Sequence, residues 1–386
     1  KALFVSLFTV LIILFSFSKF YTSFFREHKP LRYYTNPLYW MYNTGEFVIR
    51  SISRNNIPTH LKIIGQDAKI NTLAKNRKRL IILVVGEAVR AENLPFNGYK
   101  RNTMPLLSKE DIINFSNMYS CGTSTAVSVP CMFSIYERKN YDHIKAINTQ
   151  NLLDVLSHTS KIDILWRDNN SSSKGVATRV AYEDFRGTKV NKICDIECRD
   201  EGMLGSLNKY IKNRQNNNIF IVFHQRGNHG PAYYKRYPKK FEKFLPVCKT
   251  NQLEECTAEE IRNSYDNALL YTDYFLSKTI KFLKSHSKKH EVALFYISDH
   301  GESLGENRIY LHGLPYFIAP QNQKHVGAFM WLGENYKKNI NIKKLELYKN
   351  KPFSHDAIFH TVLGLFNVDT ELYVKEKDIL SNARKQ

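Results

Sequence analysis

The stretch Ser298-Asp299-His300-Gly301-Glu302-Ser303 sets a carboxylate beside an imidazole directly after the apolar run at 292–297. Such a run reads as a buried strand. Asp299 and His300 therefore leave it together at its carboxyl end, where open α/β sheets place their ligands. A hard oxygen and a borderline nitrogen on one strand tip suit a divalent ion such as zinc. Glu87 follows a second apolar run, 80–85, after Gly86. Glu87, Asp299 and His300 make a three-ligand set with one open position, the arrangement of a catalytic zinc site. Gly86 would let the backbone approach the metal closely. An attacking oxygen is offered by the hydroxyl-rich run between Cys121 and Cys131. A bridge between those cysteines would pin one hydroxyl, and metal coordination would lower its pKa. Composition leaves Ser120, Thr123, Ser124, Thr125 and Ser128 as candidates. His229 and His312 each sit beside glycine, suited to binding phosphate, binding a second metal or moving protons. Lys174 could meet a phosphate oxygen.

Elements that could position these groups are legible in the hydropathy pattern. Strands are expected at 80–85, 162–166, 219–224 and 292–297, and helices at 151–158, 203–213 and 261–285. Strands alternating with helices imply an α/β fold with a mostly parallel central sheet and helices on both faces. Each strand ends in polar residues: Glu87; Asp168, Asn169 and Asn170, then Lys174; His224, Asn228 and His229; Asp299 and His300. Four such ends point to one site at the carboxyl edge of the sheet. The Lys/Asn-rich stretch 335–351 is expected to be a solvated surface segment.

The chain has 386 residues and a formal charge of +20, so its surface should seek anions. Nucleic acid is excluded as the partner by the amino-terminal segment. Residues 2–18 carry no charge and are long enough to cross a bilayer, with Lys1 and Lys19 at the two ends. No small-residue cleavage site follows, as a signal peptide would require. The chain starts without Met, and a longer protein with further membrane helices upstream is expected. Residues 20–50 mix aromatic and basic side chains, which favours the lipid headgroup layer. The expected layout is a transmembrane helix over 1–25, an interfacial and linker region over 26–78 and a catalytic domain over 79–386. The six cysteines fall into three close pairs, none with Cys-x-x-Cys spacing. With a membrane anchor, this predicts local disulfides in an oxidising compartment.

The segments GEAVRAENLPFNGYKRNTMP, SCGTSTAVSVPCMFS, ILWRDNNSSSKG, QRGNHGPAYYKRY and YISDHGESLGENRIYLHG resemble the phosphoethanolamine transferases that modify bacterial lipid A, relatives of the mobile colistin resistance enzymes. The resemblance runs from about residue 80 to about residue 335. It implies the alkaline phosphatase/sulfatase fold, anchored in the inner membrane with the catalytic domain in the periplasm. It implies Thr125 as nucleophile, and Glu87, Thr125, Asp299 and His300 as ligands of one tightly bound Zn2+. Asn170, Lys174, His229 and His312 would bind substrate or a second zinc, with Glu302 supporting them, and His229 and His312 would move protons. The cysteines would pair as Cys121–Cys131, Cys194–Cys198 and Cys248–Cys256. Phosphatidylethanolamine would be the donor, lipid A the acceptor and a monomer the working form, with resistance to polymyxin-like cationic peptides as the outcome. The alternative acceptor is another periplasmic molecule: a core oligosaccharide, a glycan or a protein. Sulfatase chemistry is disfavoured because Met132 stands where that class carries an Arg.

Overall fold

A computed structural model of the chain describes residues 1–54, 60–71, 77–214 and 217–385. Its centre is a sheet of seven strands: β1 (Arg79–Gly86), β2 (Ile112–Asn114), β3 (Ile162–Asp168), β4 (Ala181–Asp184), β5 (Asn218–His224), β6 (Glu291–Ser298) and β7 (Ala328–Leu332). Their spatial order is β2-β7-β6-β1-β5-β3-β4. β6, β1, β5, β3 and β4 are parallel neighbours, while β7 runs antiparallel to both β6 and β2. The sheet is thus mixed, with one reversed strand. The four long apolar runs became its central strands because only strands buried on both faces lack polar alternation.

β1 shows how the sheet separates two cores. Ile81, Leu83 and Val85 face one apolar cluster and Leu80, Ile82 and Val84 the other. The first cluster takes residues of α4 (Thr125–Phe133), α5 (Leu152–His158) and α7 (Asp356–Leu365); the second takes those of α6 (Ala258–His286). α6 begins with a capping box, in which the Thr257 hydroxyl accepts from the Glu260 N–H and the Glu260 carboxylate accepts from the Thr257 N–H.

The amino terminus differs from the single spanning helix expected over 1–25. Two helices stand there, α1 (Ala2–Ser16) and α2 (Ser18–Glu27), bent by 82°, and α3 (Leu38–Arg54) follows them. No single described helix is long and apolar enough to cross a membrane. Fifteen residues of α1 reach only about 22 Å, against a hydrocarbon layer of about 30 Å. α1 buries none of its side chains, whereas α2 buries Ser23 against the domain.

Of the region expected as a linker, residues 55–59 and 72–76 lie outside the described residues. The stretch between them is joined to the domain: Lys69 and Ile70 pair with Asp369 and Val368. The stretch 335–351 is also less solvated than its composition suggests. It forms two short helices, Glu334–Lys337 and Ile342–Glu346, that bury Tyr336 and Leu345 in the first core, with Ile340 buried between them.

Candidate active site

The register of the central strands brings the polar tips together. Gly86 lies opposite Ser298, Val85 opposite His224, and His224 opposite Asp168. Glu87 and Asp299 therefore leave the sheet side by side. Asn169 and Asn170 extend β3 at the same edge, and the 225–230 turn extends β5. Ala88, immediately after Glu87, sits at φ +58°, a left-handed conformation that is strained for a residue with a Cβ. Its N–H donates to Asp299 Oδ1 at 3.1 Å, tying the two strand ends. Gly86 does not serve the metal-approach role expected of it: a Cβ there would collide with the Tyr296 ring, so the glycine makes room for a core side chain. Close approach to the site comes instead from Gly227, at φ +49°, where a Cβ would lie 3.0 Å from the Glu87 carbonyl oxygen.

Thr125 is the first residue of α4, with Ser124 as the helix cap. Its hydroxyl donates to Glu87 Oε2 at 3.0 Å and lies 3.4 Å from His300 Nε2. Three of the competing hydroxyls are engaged with backbone. Ser120 donates to Gly122, Thr123 to Leu314 and Ser128 to Asp299, each through a carbonyl oxygen. The Cys121–Cys131 disulfide ties the approach loop to α4. Disulfides also join Cys194 to Cys198 and Cys248 to Cys256.

Glu87, Asp299 and His300 are fully buried, and each offers one ligand atom within 4.8 Å of the others. Glu87 Oε1 and Asp299 Oδ2 have no hydrogen-bond partner among the described residues. Leaving buried carboxylate oxygens unpaired is costly, and a cation among them removes that cost. His300 Nδ1 lies 2.8 Å from the Gly301 carbonyl, to which it donates; this leaves Nε2 facing both carboxylates and Thr125. That is the orientation of a metal-ligating histidine held by a backbone carbonyl. The residues fit a divalent ion.

Electrostatics agree with a site built for positive charge. Burial opposes ionisation of Glu87, yet the neighbouring His300 holds its carboxyl well below the usual range. Burial and the Glu87 carboxylate push Asp299 upward. Burial works against charge on His300, but Asp299 and Glu87 lift its pKa to about 10. Burial lowers His229 to about 4, and burial with the His300 and Arg26 charges brings His312 well below its ordinary value.

Beside this cluster lies a cavity of about 550 Å³ lined by Thr125, Lys174, His229 and His312 among others. His229 and His312 could also share an ion with Glu87, since the three form a second group of convergent ligand atoms. Asn170 lies deeper: it donates to Glu87 Oε2 at 2.6 Å and to the Gln225 carbonyl. Glu302 is fully buried behind His312. It accepts from Tyr233 at 2.5 Å and lies 2.6 Å from His312 Nδ1. Sequence reasoning missed Arg226 and Arg236, which line the cavity and share Glu197; both stand in the quoted QRGNHGPAYYKRY segment. It also assigned nothing to His355, whose Nδ1 accepts from the Cys121 N–H and whose Nε2 donates to the Ser298 carbonyl. No local pattern marks that residue, because both partners are distant in the chain.

Residues 79–368 match the family described as Sulfatase, and residues 1–52 match Phosphoethanolamine transferase EptA/EptB. The chain is 45% identical over 373 residues to the Phosphatidylethanolamine transferase Mcr-2 of Escherichia coli, covering 94% of this chain and 68% of the relative. The chain is a phosphoethanolamine transferase. The transferase is also 42% identical to the Phosphoethanolamine transferase EptA of Escherichia coli (strain K12), over 99% of its own length and 70% of the relative's. Among solved structures, the integral membrane lipooligosaccharide phosphoethanolamine transferase A (EptA) of Neisseria meningitidis superposes with a TM-score of 0.85 at 36% identity, covering 99% of the transferase and 72% of that chain.

Proposed function

We propose that the transferase moves phosphoethanolamine from phosphatidylethanolamine to a phosphate of lipid A through a covalent intermediate on Thr125. The donor and the lipopolysaccharide-type acceptor follow the names of its relatives. The observation that carries the reading is the Thr125 hydroxyl, held against Glu87 and His300 at the mouth of a cationic cavity. Glu87, Asp299, His300 and the Thr125 oxygen would hold one zinc ion, and His229 with His312 would share a second. Bound zinc would supply a lowered hydroxyl pKa and neutralise charge growing on the phosphoryl oxygens.

In the first displacement, Thr125 Oγ1 forms a bond to phosphorus and the bond from phosphorus to the diacylglycerol oxygen breaks. The threonine's proton starts on the hydrogen bond to Glu87 Oε2. The departing alkoxide leaves on the cavity side and takes up the proton that the threonine gives up, with neutral His229 and His312 placed there to relay it. In the second, an acceptor phosphate oxygen attacks phosphorus, the P–Oγ1 bond breaks and Thr125 regains its proton. Lys174 provides a cation for the phosphoryl oxygens, and the amino-terminal turn of α4 adds its positive dipole.

The domain over 79–386 would lie in the periplasm, where the three disulfides persist. Residues 1–25 would hold it at the inner membrane, and the catalytic unit would act as a monomer. Capping a lipid A phosphate with the ethanolamine cation would weaken binding of polymyxin-like peptides. Incubation with phosphatidylethanolamine vesicles should leave one phosphoethanolamine on the Thr125 peptide by mass spectrometry. Thr125→Ala should abolish both adduct and transfer while leaving thermal unfolding unchanged. An adduct on another residue, or normal turnover by the variant, would overturn the assignment. Lipid extracts of cells with and without the full-length protein would identify the acceptor.

A further inference from the structure

The cavity beside Thr125 is not built by the catalytic domain alone. Two of its lining residues, Arg26 and Glu27, come from the last turn of α2. That helix is seated by several polar contacts. Ser18 donates to the Arg308 carbonyl, Lys19 to the Cys256 carbonyl, and the Leu253 N–H donates to the Ser23 hydroxyl. Arg26 Nη2 donates to the carbonyl of His312 at 2.9 Å and lies closest to the point where a Cβ on Gly313 would sit.

The charges on the cavity wall are unequal. Arg226 and Arg236 share the Glu197 carboxylate, and Arg236 is further tied to the His229 carbonyl. The single Glu197 carboxylate offsets one of their two charges and holds both side chains in place. Arg26 and Lys174 have no carboxylate partner among the described residues: Arg26 meets the His312 carbonyl, and Lys174 the Ser171 carbonyl at 2.9 Å. Glu27, the neighbouring acid, is held instead by Asn251, which donates to its Oε2 at 3.0 Å. Two cations without a contacting carboxylate among the described residues thus line one cavity, Lys174 from the catalytic domain and Arg26 from the amino-terminal helix. An arginine anchored through one nitrogen keeps further N–H donors for a phosphate, in the fork geometry that suits such an anion.

We propose that Arg26 binds a lipid-borne phosphate in the cavity, so that the substrate site is completed only when α2 is docked. This rests on the proposed transfer reaction and adds to it a binding residue outside the catalytic domain. Both the donor phosphodiester and the acceptor phosphate have the required chemistry, and the half-reactions separate them.

The test uses the full chain with phosphatidylethanolamine vesicles and lipid A. Arg26→Ala should lower kcat/KM about 10- to 100-fold, chiefly through KM, and Arg26→Lys should recover part of the loss. Diacylglycerol release without acceptor reads the donor step. Discharge of the preformed phosphoethanolamine–enzyme by lipid A reads the acceptor step. A loss confined to one step supports the proposal and names the phosphate. Asn251→Ala, which loosens the end of α2 without touching the cavity cations, should lower kcat/KM through the same step as Arg26→Ala but by less. Unchanged kcat/KM in Arg26→Ala would overturn the proposal, as would a loss that Arg26→Lys does not partly recover. Absence of transfer by the unaltered protein would instead sink the functional reading on which it rests.

Discussion

Glu302 shows how a residue can matter to a cavity that it does not line. Its carboxylate lies behind His312, within hydrogen-bond reach of Nδ1 and of the Tyr233 hydroxyl. Burial pushes its pKa up to about 7. Holding Nδ1 fixes the imidazole's orientation and leaves Nε2 to the cavity. Glu302→Gln keeps the size but weakens that hold. Its kcat/KM should fall about 10- to 100-fold, the usual cost of losing a partner that orients a reactive histidine. Zinc per chain, measured by elemental analysis, should change less than activity does. Unaltered kcat/KM would remove Glu302 from the machinery.

At the scale of elements, α7 carries a group whose protonation bears on stability. His360 is buried on this helix, and its Nδ1 accepts the Val374 N–H at 3.2 Å, pinning the following segment. Burial lowers its pKa to about 4 from an ordinary 6.5. The fold therefore prefers the neutral ring, while the unfolded chain takes a proton below pH 6.5. Stability is full above that value and is lost as pH falls from about 6.5 to about 4, by up to about 2 kcal/mol after solvent screening. His360→Asn keeps an acceptor but cannot titrate. Its urea midpoint should be flatter across that window than the unaltered protein's; parallel profiles would show that other groups set the acid limit.

Elements also show what was legible and what was not. The strands at 80–85, 162–166, 219–224 and 292–297 stood out because both faces are buried and no polar alternation dilutes the signal. The short strands β2, β4 and β7 went unread. β7 has only five residues, Ala328–Leu332, and its place between β2 and β6 is a matter of long-range pairing. The expected spanning helix broke into α1 and α2 at Phe17, a bend that hydropathy alone does not show.

For the whole molecule, the two apolar cores lie between Ala68 and Ala383, so α1 and α2 add nothing to either. Their polar contacts are with the 308–312 segment and the Cys248–Cys256 loop. Removal of residues 1–27 should therefore leave a cooperatively unfolding, zinc-binding domain that transfers poorly from vesicles. A non-cooperative thermal transition would show that the helices belong to the fold itself. Strong transfer would show that neither anchoring nor Arg26 is needed.

Residue types alone determined the chemistry available: carboxylate and imidazole after one apolar run, a second acid after another, hydroxyls between two cysteines. These are local facts, carried by composition and by the short reach of a strand end. The choice of Thr125 among the five hydroxyls had to come from family likeness, because nothing local distinguishes them. Three-dimensional packing decided which oxygen faces Glu87, that Asn170 braces that acid, and that Arg26 joins a cavity whose other walls lie far along the chain. Strand register and helix docking set those distances, and both depend on contacts between segments more than a hundred residues apart.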